Sequence, residues 1–145
     1  MILSFTGTRK GMTPYQRQTF ANWLQTVKID EFHHGLCVGA DCEAHQLVRE
    51  YFPTCRIVGH PGTSPNGYPT ASNVTRDALF KDCQLLAHNF PYLVRDKHIV
   101  QAGEFLVATP NGPEIRRSGT WTTVRYAIKN GTPVKVIPPR EVTNA

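Results

Sequence analysis

The stretch Arg116-Arg117-Ser118-Gly119-Thr120-Trp121 joins two cations to a small polar cap and then to a helical pattern that runs to Lys129. Serine is a strong helix N-cap, and the first amides after it have no intrahelical partner. A phosphate placed there gains hydrogen bonds and the favourable end of the helix dipole. Ser118, Gly119 and Thr120 are therefore candidate phosphate ligands. Arg116 or Arg117 can add charge pairing, and Trp121 can lie under a base or pack in the core.

Three other segments carry related chemistry. Gly7-Thr8-Arg9 offers a tight turn, a hydroxyl and a guanidinium able to grip phosphate with two parallel hydrogen bonds. Gly39-Ala40-Asp41 opens a helix, where Asp41 can accept from a ribose hydroxyl or act as an N-cap, and His45 shares its helix face. His60 is the one imidazole at a strand end, placed to contact phosphate or move a proton. Arg95, with Asp96 and His98 nearby, reads from spacing alone as a solvated helix face. His33, His34, Cys37, Cys42 and His45 raise a metal reading. Consecutive strand residues point to opposite faces, however, and the paired spacing of zinc sites is missing, so no metal or cofactor is expected.

These residues need a scaffold, and the chain alternates strand and helix patterns to supply one. Apolar runs predict strands over 1–6, 31–38, 56–59, 104–109 and 133–137. Helical spacing is expected from 13, over 41–51, from 91 through an apolar face of Leu93, Val94, Ile99 and Val100, and over 118–129. A helix is also expected over 75–87. The polar loop 60–73 is long enough to form a flap. Such alternation predicts an α/β domain with a mainly parallel sheet of about five strands, and ligands at the carboxyl ends of those strands. The glycine-rich and charged residues fall there.

The 145 residues fit one domain, with 40% hydrophobic and 19% charged side chains. No apolar run is long enough to span a bilayer, and the first residues turn polar too soon for a signal peptide. With four cysteines in no framework spacing, a cytoplasmic protein with free thiols and no membrane contact is expected. Sixteen basic against eleven acidic residues give a formal charge of +5, which favours an anionic partner. The cations are scattered rather than clustered, which favours a small anion over nucleic acid.

The segment TGTRKGMTPYQ, residues 6–16, resembles the first loop and helix of the SLOG superfamily. That group includes the LOG nucleotide phosphoribohydrolases, the molybdenum-cofactor carrier-like proteins and the DNA-processing protein DprA. HHGLCVGADCEAHQLV, residues 33–48, is similar to the second glycine-rich turn of DprA-like members. YLVRDKHIV, residues 92–100, is similar to the Arg-containing helix of LOG enzymes. SGTWTTVRYA with the later GTPVKVI resembles their Pro-Gly-Gly-x-Gly-Thr-x-x-Glu segment and the strand after it. The likeness runs in order over residues 2–138.

The resemblance implies a Rossmann-like three-layer αβα sandwich, a small stand-alone bacterial or phage member of the group, and a homodimer or higher homo-oligomer. It implies that Arg95 matches the catalytic Arg of LOG enzymes and that Thr123 stands where they carry their catalytic Glu. Breaking an N-glycosidic bond needs a carboxylate, which threonine lacks. Glu114 and Asp41 are the nearest carboxylates in the sequence. The expected function is thus binding of a nucleotide-derived, phosphate-bearing ligand, to sense or sequester it. The alternative is an N-glycoside hydrolase or ribosyltransferase acting on nucleoside 5'-monophosphates, with Arg95, Glu114 and Asp41 as its catalytic set. The resemblance also allows DprA-like nucleic-acid binding and a molybdenum-cofactor carrier.

Overall fold

The computed structural model describes residues 1–63, 81–86, 90–116 and 118–142. In chain order the elements are β1 (Ile2–Gly7), α1 (Pro14–Leu24), β2 (Glu31–His34), α2 (Ala40–Tyr51), β3 (Arg56–Gly59), β4 (Gly62–Thr63) and β5 (Gln84–Leu85). They continue with β6 (Phe90–Pro91), α3 (Tyr92–Ala102), β7 (Phe105–Thr109), α4 (Gly119–Lys129) and β8 (Val134–Val136). Six strands form one sheet in the order β5-β3-β2-β1-β7-β8, and every pairing in it is parallel. β4 and β6 pair separately.

Alternation along the strands decides which side each helix covers. Leu3 and Phe5 face one way, into a core with Phe20 and Leu24 of α1 and Ala44 and Val48 of α2. The ring of Phe5 meets Phe20 at 5.5 Å and Phe32 at 6.1 Å. Ser4 faces the other way, where its hydroxyl donates to the Ile99 carbonyl on α3. Leu106 packs on that side with Val100 and Ala127. Helices on both faces of a parallel sheet give the α/β sandwich expected from the sequence.

Local chemistry starts α1 where the sequence places it. Thr13 and Gln16 form a reciprocal capping box, and Pro14 takes the first helical turn. Gln16 is fully buried and also donates to the carbonyls of Pro110, at 2.7 Å, and Ile137, at 2.9 Å. One side chain therefore caps its own helix and ties it to the ends of β7 and β8.

Two expectations change. β2 stops at His34 instead of running to 38, because Leu36 adopts a left-handed φ of 58° that no strand accommodates. Of the expected helix over 75–87, residues 75–80 and 87 lie outside the described residues. Gln84–Leu85 is a strand, paired with Val58 and Gly59. That pairing, extended by Leu86 N–H to the Gly59 carbonyl at 3.1 Å, satisfies the outer edge of β3.

From β1 the chain steps one way to β2 and β3, and later the other way through β7 to β8. The loops after β1 and β7 therefore part, which opens a crevice at the switch point. Gly7 closes the base of this crevice, because a Cβ there would fall onto Thr109 Oγ1 and Ala40 Cβ. Gly7→Ala should lower stability by about 1–3 kcal/mol, the usual cost of overpacking a tight core. Urea unfolding of variant and wild type checks this; equal midpoints would remove Gly7 from the list of packing constraints.

Candidate functional site

A cavity of about 430 Å³ occupies the crevice. Gly7, Thr8 and Arg9 enter it from the β1 loop, Asp41 from the first turn of α2, and Arg95 from α3. Ser118, Gly119 and Thr120 close it from the start of α4. Eight of the residues singled out in the sequence thus share one cavity.

Arg95 is 5% exposed, the reverse of a solvated helix face. The helix is turned so that Leu93 and Val94, expected in its apolar face, are 60% and 39% exposed, while Arg95, Ile99 and Val100 point inward. The guanidinium explains this phase, since a buried charge must find partners. Its Nε donates to Asp96 Oδ1 at 2.6 Å and its Nη1 to the Gly35 carbonyl at 2.7 Å. Nη1 also reaches the His60 carbonyl at 3.4 Å, and Nη2 approaches Cys37 Sγ at 3.9 Å. A Cβ on Gly35 would stand 2.7 Å from Nη1, so only glycine admits the contact.

Asp41 sits opposite, buried, with Oδ2 accepting from the amides of Gly35 at 3.1 Å and Cys37 at 3.2 Å. It shapes the β2–α2 turn. Burial pushes its carboxyl up to about 6, against the pull of Arg95 and the two amides. Burial likewise raises Asp96, and it lifts the Cys37 thiol to about 11, which makes that sulfur a poor nucleophile at neutral pH.

The two candidate helix N-termini differ. At α2 the Ala40 amide already donates to the Thr8 carbonyl at 3.0 Å, stitching the β1 loop to the helix. Gly39 holds φ 83°, and a Cβ on it would fall onto the Arg9 carbonyl. Gly39 and Ala40 therefore position the loop. At α4, Ser118 Oγ accepts from Trp121 N–H at 3.3 Å as the N-cap, and the amides of Gly119 and Thr120 take no partner among the described residues. Arg9 is exposed, lies 5.1 Å over the Tyr92 ring, and lines the same cavity.

Other candidates stand elsewhere. Glu114 is exposed, pairs with Arg125 at 2.9 Å, and does not line this cavity, so the loop's direction removes it from the site. Trp121 faces a second cavity on the other side of α4, with Nε1–H donating to the Gly112 carbonyl at 3.1 Å. His60 is buried behind Arg95, and Arg117 lies outside the described residues. Most of the 60–73 segment expected as a flap also lies outside them. Asp96 is the residue that sequence reasoning passed over. It lines the cavity and binds Arg95, and it lies near the buried Thr123, whose hydroxyl donates to the Gly119 carbonyl at 2.9 Å. The available signal was its place beside Arg95 and three residues before Ile99, on the inward face of α3. Among the described residues no cluster of His, Cys, Asp and Glu could hold a metal ion.

A parallel sheet with its crevice at the switch point and helices on both faces defines a Rossmann-like domain. The sequence matches no protein-family model and no curated protein. Among solved structures it is similar to DNA processing protein A (DprA) from Streptococcus pneumoniae, with a TM-score of 0.67 and 17% identity over 94% of this chain and 50% of that one. It is also similar to DNA processing protein A from Helicobacter pylori, with a TM-score of 0.63 and 17% identity over 97% of this chain and 66% of that one. The latter structure is described by its single-stranded DNA binding mode. The chain thus spans half of one of these proteins and about two thirds of the other, and the likeness is one of fold.

Behind the cavity, β2 carries a histidine chain on each face. On one, His33 Nε2 meets Glu31 Oε2 at 2.7 Å and His33 Nδ1 meets His60 Nε2 at 2.7 Å. On the other, His34 Nδ1 accepts from the Leu36 amide, His34 Nε2 meets His45 Nδ1 at 3.0 Å, and His45 Nε2 meets Asp82 Oδ2 at 3.3 Å. The Leu36 bond sets the second chain's tautomers, each imidazole donating through Nε2. Burial depresses His34 and His45, and burial with the neighbouring His33 pushes His60 down to about 3. A folded imidazole with a lowered pKa stays neutral while the unfolded one takes a proton below about 6.5. The stability it contributes is complete above that pH and is lost as pH falls toward 3. His60→Gln should therefore lose less stability than wild type between pH 7 and 5, by up to about 1.4 kcal/mol per pH unit. Denaturant titrations across that range measure it, and parallel slopes would contradict it.

Proposed function

We propose that this chain binds a phosphate-bearing nucleotide unit in the switch-point cavity, with the phosphate on the Gly119 and Thr120 amides and Arg9, and the ribose toward Asp41. The observation that carries the reading is that two amides at the start of an 11-residue helix, without partners among the described residues, open onto the same cavity as an exposed guanidinium. Amides, dipole and cation all favour an anion at that spot. Arg95, held by Asp96 and the Gly35 carbonyl, organises the cavity wall. The similar DprA structure described by its single-stranded DNA binding favours the variant of this reading in which the nucleotide unit belongs to a single strand. In this reading the protein senses or holds its ligand in the cytosol. Leu93, Val94 and Ile128, exposed on α3 and α4, favour a homodimer through those helices.

Nothing lies within 4 Å of a Cβ built on Gly119, and aspartate is well tolerated in the first turn of a helix. Gly119→Asp should therefore leave the melting temperature unchanged or raised while weakening nucleotide binding at least tenfold. Arg9→Ala should weaken it comparably. Calorimetric titration with nucleoside monophosphates measures both; unchanged affinity in the two variants would refute the phosphate assignment.

A hydrolytic reading has one observation in its favour, the carboxylate of Asp96. Thr123 supplies no acid, but Asp96 lies close enough to it to feel its hydroxyl and lines the cavity, so a carboxylate stands nearby. A carboxylate there can stabilise the positive charge that develops as an N-glycosidic bond breaks. On this reading the wild type releases free base from nucleoside 5'-monophosphates, and Asp96→Asn lowers the rate about 100-fold or more while still binding. Chromatography of the reaction mixture decides it, since wild-type protein that binds without releasing base leaves only the binding function.

A further inference from the structure

A second cavity, of about 650 Å³, adjoins the first. The opening turn of α4 and the loop after β7 are the wall between them. Ser118, Gly119, Thr120 and Asn111 line one side, and Trp121, Gly112 and Pro110 line the other. The second cavity is lined by apolar Trp121, Pro113, Val136 and Pro139 and by the charged Arg140, Glu141 and Glu114, the last paired with Arg125. The indole is partly exposed, and its bond to the Gly112 carbonyl fixes the ring's orientation. A fixed, partly exposed aromatic face is a platform for a nucleobase, because stacking is open to any base.

The first cavity is positive on balance. Arg9, Lys10 and Arg95 supply three cations and Asp41 and Asp96 two carboxylates, with Arg95 already bonded to Asp96. A phosphodiester carries one negative charge, which matches that surplus, so the linkage between two nucleotides is a sufficient anion for the site.

We propose that the Trp121 groove is a second base subsite. A nucleotide chain crosses the start of α4 with a phosphodiester on the Gly119 and Thr120 amides, one nucleoside in the switch-point cavity and the adjacent base on Trp121. This rests on the reading of the α4 N-terminus as the phosphate site, and it selects a phosphodiester-linked chain over a free mononucleotide.

The test compares each of the four deoxynucleoside 5'-monophosphates with its matching homodinucleotide, on full-length wild type, Trp121→Ala and Trp121→Phe. The best dinucleotide should bind wild type roughly 5- to 100-fold tighter than its monophosphate, the worth of one stacked base. Trp121→Ala should erase that difference and leave monophosphate affinity unchanged, and Trp121→Phe should keep most of it. Dinucleotides should also quench the Trp121 emission. The other tryptophan, Trp23, is partly buried against the core, stacked between Phe20 and Phe105, and serves as a constant background. Equal affinities for the two probe classes in wild type, or an advantage that survives Trp121→Ala, overturn the second subsite while the phosphate site stands. Failure of every probe to bind wild type overturns the phosphate site and the inference together.

Discussion

A guanidinium does not give up its proton inside a protein, so burying Arg95 obliges the surrounding chain to come to it. Its partners arrive from three separate segments: the Gly35 carbonyl and Cys37 from the turn after β2, the His60 carbonyl from the end of β3, and Asp96 from its own helix. This one requirement sets the rotation of α3, leaves Leu93 and Val94 outside, and permits only glycine at position 35. It also sets the environment of Asp41, which accepts from the two amides flanking Leu36. Burial works against the Arg95 charge, and Asp96, Cys37 and Asp41 more than offset it, so its pKa lies above the ordinary value.

The charged residues of the crevice thereby divide into two groups. Arg95, Asp41 and Asp96 satisfy one another and nearby backbone, and they hold three loops at fixed distances. Arg9, Lys10 and the opening turn of α4 carry positive potential with fewer internal commitments. The first group holds the shape of the crevice, and the second turns its positive groups toward the cavity. The β1 loop belongs to both: Thr8 receives the Ala40 and Gly11 amides on its carbonyl while its own amide donates to Thr109. Arg9 is thus presented by a segment fixed to α2 and β7.

β2 extends the same logic outward. Its adjacent histidines face opposite sides of the sheet, and each ends in a carboxylate, Glu31 on one side and Asp82 on the other. The His34 chain fixes the Leu36 amide, which helps hold that residue in the left-handed region at the sharpest point of the β2–α2 turn. Gly59 lies against the Leu36 side chain and leaves it room. His34 and His45 fill their face as imidazoles because each of their nitrogens has a role there, as donor or acceptor.

Much of this was legible in the sequence. The strand–helix alternation, the start of α1 at Thr13-Pro14, the Ser118 cap and the small or charged residues at strand ends depend on chemistry between near neighbours, and near neighbours are what a sequence displays. Opposite faces for His33 and His34 followed from the pleat alone. The phase of α3 did not follow, because Leu93 and Val94 are apolar by type, and only a carbonyl 60 residues away explains why Arg95 displaces them inward. β5 carries too few residues for a period, and the open edge of β3 decided it. Asp96 and Glu114 exchanged places for the same reason. Both stand close to an arginine, but whether the pair is buried in the crevice or left in water depends on where the sheet puts the segment. Residue types and spacing determined the elements and the four loops that carry polar chemistry. The tertiary structure decided which charges are buried, because the cost of burying a charge is set by partners that only the fold brings within reach.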